Sequence, residues 1–124
     1  MLGVMGLDEV QGAYNQAHRR LLADLANTLG VHPDIAVDFT EMETPYRFER
    51  RHWTTLPEIE DEEIAAVELA DRVQADVLEE LWGPAWPKCP GHGHPSAPAM
   101  SDGVAVWTCP VDGRLVGRIG ELIR

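Results

Sequence analysis

Two long stretches of the chain repeat apolar residues every three or four positions, the spacing of a helix with one buried face. The first, Val10, Tyr14, Ala17, Leu21, Leu25 and Leu29, predicts a helix over Leu7–Leu29. Asp8 stands at the N-cap position with Gln11 three residues on, and Gly30 followed by Pro33 marks the stop. The second, Ala66, Leu69, Val73, Val77 and Leu81, predicts a helix that runs to Trp82 and ends at Gly83-Pro84. Thr55-Leu56-Pro57-Glu58 reads as its start, with Thr55 as cap and Pro57 in the first turn. The acidic run Glu58, Glu60, Asp61, Glu62 and Glu63 then crowds the end that the helix dipole makes positive.

Between the helices the period changes from helical to two. Ile35, Val37 and Phe39 alternate with Ala36, Asp38 and Thr40, which predicts a short strand. Tyr46–Thr54 is the expected partner across a turn at 41–45, and the two form a hairpin. Residues 84–98 hold five prolines, which no helix tolerates. Beyond them Val104–Cys109 and Leu115–Ile119 read as paired strands around the turn signal Asp112-Gly113. The expected architecture is α+β: a helix–hairpin–helix body over 1–83, and a module over 84–124 built on a zinc-ribbon-like hairpin.

The second segment carries the candidate chemistry. Cys89-Pro90-Gly91-His92-Gly93 and Cys109-Pro110-Val111-Asp112-Gly113 share the pattern Cys-Pro-x-ligand-Gly, and these are the only two cysteines in the chain. Proline after the cysteine sets φ and glycine after the second ligand permits the bend, so side chains at i and i+3 converge on one point. Zinc takes four such ligands from Cys, His and, less often, Asp. The expected set is Cys89, His92, His94 and Cys109, with Asp112 as the substitute if one histidine turns away. A metal-free pair of buried thiols and a Cys89–Cys109 disulfide are the alternatives; the Pro and Gly frame favours the metal, and a structural zinc in particular. A catalytic metal needs an open position and a nearby base. The chain has neither His-Glu-x-x-His nor the deaminase signature, no nucleophile motif and no phosphate-binding glycine loop, so no catalytic residue is assigned.

Composition narrows the partners. A formal net charge of −11 argues against phosphate-neutralising contact with nucleic acid and against docking on an anionic membrane. The basic cluster Arg47, Arg50, Arg51 and His52 is expected to pair with Glu41, Glu43, Glu49 or the acidic helix start, and His18-Arg19-Arg20 to form a solvated face. Trp82, Trp86 and Trp107 are expected to cover the metal module and dock it on the second helix. No apolar run approaches the ~20 residues of a membrane span. Met1–Gly6 lacks the basic start of a secretory leader, so a cytoplasmic protein is expected.

The runs Trp86-Pro87-Lys88-Cys89-Pro90-Gly91-His92-Gly93-His94-Pro95, Val106-Trp107-Thr108-Cys109-Pro110 and Ile119-Gly120-Glu121-Leu122 resemble small uncharacterised proteins of actinobacteria and their phages. More loosely, the same stretch, about residues 82–122, is similar to zinc ribbons. The first resemblance implies no activity; the second implies a structural metal and a binding surface. The functional expectation is a small non-enzymatic, zinc-stabilised interaction or assembly protein with a protein partner, such as a component of a phage particle, placed in the cytoplasm or the virion. A zinc enzyme with an open metal position and an acidic DNA-mimic regulator are the competing readings.

Overall fold

A computed structural model describes residues 2–80 and 85–123. Its elements are α1 (Leu2–Leu29), β1 (Ile35–Val37), β2 (Tyr46–Phe48), α2 (Glu62–Glu80), β3 (Ala97–Ser101), β4 (Val104–Thr108) and β5 (Leu115–Arg118). Two helices, a two-stranded antiparallel hairpin (β1–β2) and a three-stranded antiparallel sheet (β3–β4–β5) make an α+β fold. The expected end of the second helix at Leu81, Trp82 and Gly83-Pro84, and with it the boundary between body and module, lies outside the described residues.

The apolar stripe of α1 is buried as its period dictates, from Val10 to Leu25, with Leu29 half-covered at the end. On α2 the buried face is Ala65, Ala66, Leu69, Ala70, Val73 and Val77. Its alanines let the helices approach closely. The two faces meet in one continuous core that also takes in Ile35, Phe39, Tyr46 and Phe48 from the hairpin side and Trp86, Ala105, Trp107, Ile119 and Leu122 from the C-terminal segment.

Both helix starts differ from expectation. Residues 2–29 are helical, so Asp8 is an exposed interior position and caps nothing. Gln11 instead bridges outwards: its amide donates to the Val37 carbonyl at 2.9 Å and its oxygen accepts from Phe39 N–H at 2.6 Å, tying β1 to α1. The second helix begins at Glu62, not near Pro57. Asp61 is the cap that wins: its carboxylate accepts from Ile64 N–H at 3.0 Å and its carbonyl from Ala65 N–H at 2.9 Å. Thr55–Glu60 stays irregular because Leu56 is buried there and the Pro57 carbonyl accepts from the Tyr14 hydroxyl at 2.8 Å.

The second strand is also shorter than expected. Glu49 adopts a left-handed φ of 55°, which turns the chain at the end of β2. Thr54 then returns to pair with Tyr46 through backbone bonds of 3.0 and 2.7 Å. The expected C-terminal hairpin gains a third strand, β3, which pairs with β4 from Ala97↔Thr108 to Ser101↔Val104. Its Pro98 is admissible because β3 is an edge strand. Asp102 and Gly103, at φ 51° and 79°, make the two-residue turn between them.

The arginines find other partners than those expected. Arg47 pairs with Asp34 at 3.3 Å, and Arg51 reaches Asp76 at 2.7 Å, Glu79 and Glu80, at the far end of α2 from the acidic start. Arg20 is not solvated. Its guanidinium lies between Glu62 (3.0 Å) and Glu63 (2.9 Å), and its Nε donates to the Ile119 carbonyl at 2.8 Å. The backbone of Gly120 presses against this side chain: a Cβ there would stand 2.8 Å from Arg20 Cβ, at a φ of 103°.

Among the described residues one charged side chain is buried in the core. Asp24 is 0% exposed, on the same face of α1 as Leu21 and Leu25. Its carboxylate accepts from Trp107 Nε1 (2.9 Å), Gly120 N–H (2.8 Å) and Leu122 N–H (2.9 Å). Burial pushes its pKa up, and these donors together with Arg20 pull it back. Asp24→Ala would strand the buried Trp107 and Leu122 donors and the half-buried Gly120 N–H, so we expect it to cost about 3 kcal/mol or more. Urea denaturation checks this; a loss below about 1 kcal/mol refutes it.

Glu63 accepts from Arg20, from Ala105 N–H at 2.9 Å and from Arg118, and this holds its pKa down at about 2. A carboxyl whose folded pKa is depressed stabilises the fold above its unfolded pKa, and that contribution fades as pH falls towards the folded value. The stability gap between wild type and Glu63→Gln should therefore be full at pH 7, shrink below the ordinary value of 4.5, and be nearly closed at about 2. Denaturation at a series of pH values tests this, and a gap independent of pH contradicts it.

Candidate metal centre

The loop that carries the first ligands is tied to both helices. Trp86 Nε1 donates to the Thr28 hydroxyl of α1 at 2.9 Å, and the Trp86 carbonyl accepts from Gln74 of α2 at 2.9 Å. Trp86 and Trp107 pack edge to face with centroids 5.5 Å apart. The tryptophans thus bury the base of the module as expected, but both indole N–H groups are held by α1, not by α2. Trp82 lies outside the described residues.

From this base the chain makes two similar turns. Cys89 N–H donates to the His94 carbonyl at 3.1 Å, and Cys109 N–H donates to the Arg114 carbonyl at 2.8 Å, each closing five residues on. Inside the turns the Cys89 carbonyl accepts from His92 N–H (3.0 Å) and the Cys109 carbonyl from Gly113 N–H (2.8 Å). Gly91 and Gly113 supply positive φ values of 79° and 74°, which side-chain-bearing residues rarely adopt; in the first turn the left-handed residue thus precedes the histidine, at Gly91, and is not Gly93 as expected. The Lys88–Pro95 bridge and the bond from Ser96 N–H to the Pro87 carbonyl (2.6 Å) close the first turn at its neck. The second turn follows directly from β4 and feeds β5.

These turns bring four of the five candidate ligands together. The donor atoms of Cys89, His92, His94 and Cys109 all lie within 4.8 Å of one another. His92 Nδ1 is 3.4 Å from Cys89 Sγ and 3.3 Å from Cys109 Sγ, and His94 Nε2 is 3.9 Å from Cys109 Sγ. A tetrahedral dication with arms of about 2.3 Å to sulfur and 2.0 Å to nitrogen has edges of roughly 3.3–3.8 Å, so the His92–Cys89 and His92–Cys109 separations match a coordination shell and the widest pairs would draw in by up to about 1 Å. His94 Nδ1 lies 3.2 Å from the Pro95 carbonyl. A carbonyl only accepts, so the proton sits on Nδ1 and Nε2 is left bare towards the cluster.

The cluster is graded in depth. Cys89 and Cys109 are 0% and 1% exposed, and neither forms a disulfide, whereas His92 and His94 are half-buried. Burial, the neighbouring Cys109 thiol and Asp112 push the Cys89 pKa up, so in the bare protein its thiol form is favoured. A bound dication inverts that balance by stabilising the thiolates.

The fifth candidate, Asp112, falls outside the group. It is exposed, caps its own turn by accepting from Arg114 N–H at 2.9 Å, and approaches the Arg114 guanidinium at 3.8 Å. The Arg114 N–H and the nearby Cys109 thiol hold its pKa below the usual carboxylate range. Its place beside a ligand is that of an outer partner. Asp24, which holds Trp107 two residues before Cys109, was not singled out from the sequence. Its signal was an acid inside the apolar stripe of α1, at a position where a solvated residue would not stand.

On this geometry Asp112→Asn should keep one metal ion per chain, with affinity lowered by about tenfold or less, the scale of an outer-shell change. His92→Ala and His94→Ala should lose tight binding. Competition titration with a chromophoric chelator distinguishes these outcomes; loss of the metal in Asp112→Asn would make Asp112 a ligand.

No protein-family model, curated protein or solved structure matches the chain. What it can hold is thus read from its own residues: a Cys2His2 group able to take a metal ion.

Proposed function

We propose that this is a small non-enzymatic protein of the interaction or assembly kind, whose C-terminal segment is held by a structural zinc ion in a zinc-ribbon-like pair of turns. The observation that carries the reading is the convergence of two thiols and two imidazoles at tetrahedral spacing. Sulfur and imidazole together favour zinc over the oxygen-seeking cations. Four protein donors would leave no open position for water or substrate, which supports a structural role over a catalytic one. Bound there, zinc would supply cross-linking of Cys89, His92 and His94 to Cys109, and with it the thiolate charge balance that the buried sulfurs lack.

The interaction half of the reading draws on the surface. Among the described residues the large exposed apolar side chains are Ile64, Met100, Val111, Leu115 and Ile123, and all but Ile64 belong to the C-terminal segment. The gathering of these side chains in one segment of the chain, rather than their number, is what supports the interaction reading. Among the described residues no helix is long and apolar enough to cross a membrane. Unoxidised, metal-poised cysteines suit a reducing compartment such as the cytoplasm.

Metal analysis of the purified protein tests the site. Wild type should carry about one zinc per chain, and Cys89→Ser and Cys109→Ser should carry none. Chelation should weaken the near-ultraviolet circular dichroism of the Trp86–Trp107 pair without abolishing it, because the ligand turns beside the two rings come apart while Thr28 and Asp24 still hold the indoles. A metal-free wild type with that signal intact overturns the zinc reading. Recovery from the native source only as a free monomer with a turnover activity overturns the interaction reading.

A further inference from the structure

The chain has two cysteines, and both belong to the candidate metal centre. Their sulfurs come from different turns, yet each stands against the same atom: His92 Nδ1 is 3.4 Å from Cys89 Sγ and 3.3 Å from Cys109 Sγ. The two Sγ atoms are themselves within 4.8 Å of one another. A disulfide bond of about 2.05 Å therefore asks for an approach of less than about 3 Å, shared between two turns. No third thiol competes, so a disulfide within the chain has one possible pairing, Cys89–Cys109.

The turns are placed to make that approach. Pro90, Gly91 and Gly93 of the first turn and Val111, Asp112 and Gly113 of the second are exposed, so the ligand loops can shift without unpacking the core. The anchors beneath them do not depend on a metal: Thr28 holds the Trp86 indole and Asp24 holds the Trp107 indole, each at 2.9 Å. The sulfurs are buried, and the half-buried His92 and His94 form the more exposed side of the group. That side favours a small, uncharged oxidant over a bulky disulfide.

We infer that the site is a peroxide-responsive zinc switch, in which oxidation joins Cys89 to Cys109 and expels the ion. The inference rests on the zinc reading above and adds the regulation of that site. One thiolate attacks an oxygen of hydrogen peroxide; the O–O bond breaks, and the hydroxide released takes up a proton and leaves as water. The second thiolate attacks the sulfenic sulfur, the S–S bond forms, and a second hydroxide leaves and is protonated. Two thiolates, one hydrogen peroxide and two protons thus become one disulfide and two waters. Two imidazoles remain, too few to hold zinc tightly, because the thiolate is the ligand and the disulfide sulfur is not. Val111, 74% exposed and two residues past Cys109, moves with its turn, so the surface used by the interaction reading changes with redox state. A dithiol reductant reverses the switch by attack on the disulfide.

The zinc-loaded full chain is titrated with hydrogen peroxide. Free zinc is read with a chromophoric indicator, thiols are counted after denaturation, and the intact mass is measured. One zinc should appear for every two thiols lost, on a monomer about 2 Da lighter, and dithiothreitol with added zinc should restore both. The circular dichroism of the Trp86–Trp107 pair should persist in weakened form, since both indoles stay anchored. His94→Ala, which keeps both thiols but not tight metal binding, should show the same mass loss without zinc release; Cys89→Ser should show neither. Zinc released while the sulfurs become sulfinic acids or link separate chains overturns the switch and leaves the structural zinc. Zinc retained in excess peroxide does the same. A wild type that carries no zinc as purified overturns the zinc reading and the switch together.

Discussion

The carboxylate of Asp24 is the point on which the C-terminal half of the structure hangs. A buried carboxylate is tolerated only where its lone pairs are satisfied, and here one group takes three donors from three places in the chain tail: an indole on β4 and two backbone N–H groups past β5. Those donors are themselves buried or half-buried and would otherwise lack partners. The arrangement is directional in a way that apolar packing is not. It sets the distance and rotation of the three-stranded sheet relative to α1, and Arg20, one turn earlier, repeats the clamp by holding the Ile119 carbonyl while pairing with Glu62 and Glu63 of α2.

The candidate metal centre is built on that scaffold. Cys109 lies two residues beyond Trp107, the side chain that Asp24 grips, and Cys89 lies three beyond Trp86, which Thr28 grips from the next turn of α1. The Thr28 hydroxyl also donates to the Asp24 carbonyl at 2.6 Å, so the two tryptophans are held by adjoining turns of one helix. The two ligand-bearing turns therefore reach the site from anchored positions. A metal there and the latch would be complementary constraints. The latch holds the module to the helices, and a metal would close the loops that have little apolar surface of their own.

Much of this was legible in the residues. The stripes of α1 and α2 and the alternation through Ile35–Phe39 specify elements because burying one face gives each period a single consistent solution. The two Cys-Pro turns specify convergence of their ligands for a local reason, the φ values of Pro and Gly. Helix starts were less legible, since several capping residues competed. Asp8 lost to a helix that begins earlier, and Thr55 lost to Asp61 once Leu56 and the Pro57 carbonyl were drawn into contacts with the body. Strand β3 was obscured by its Pro98 and by Pro95 just before it, although Asp102-Gly103 carried the turn signal that closes it.

The sequence by itself determined the α+β class, the buried face of each helix and the two Cys-Pro turns, because each depends on residues within a few positions of one another. Only the tertiary structure decided which acids meet which arginines, that His94 completes the donor set while Asp112 turns to its own Arg114, and that Asp24 serves as a latch. Those outcomes join residues up to 98 positions apart. Local periodicity carries no information about which of many acids ends beside which of several donors. Only the packed core supplies that.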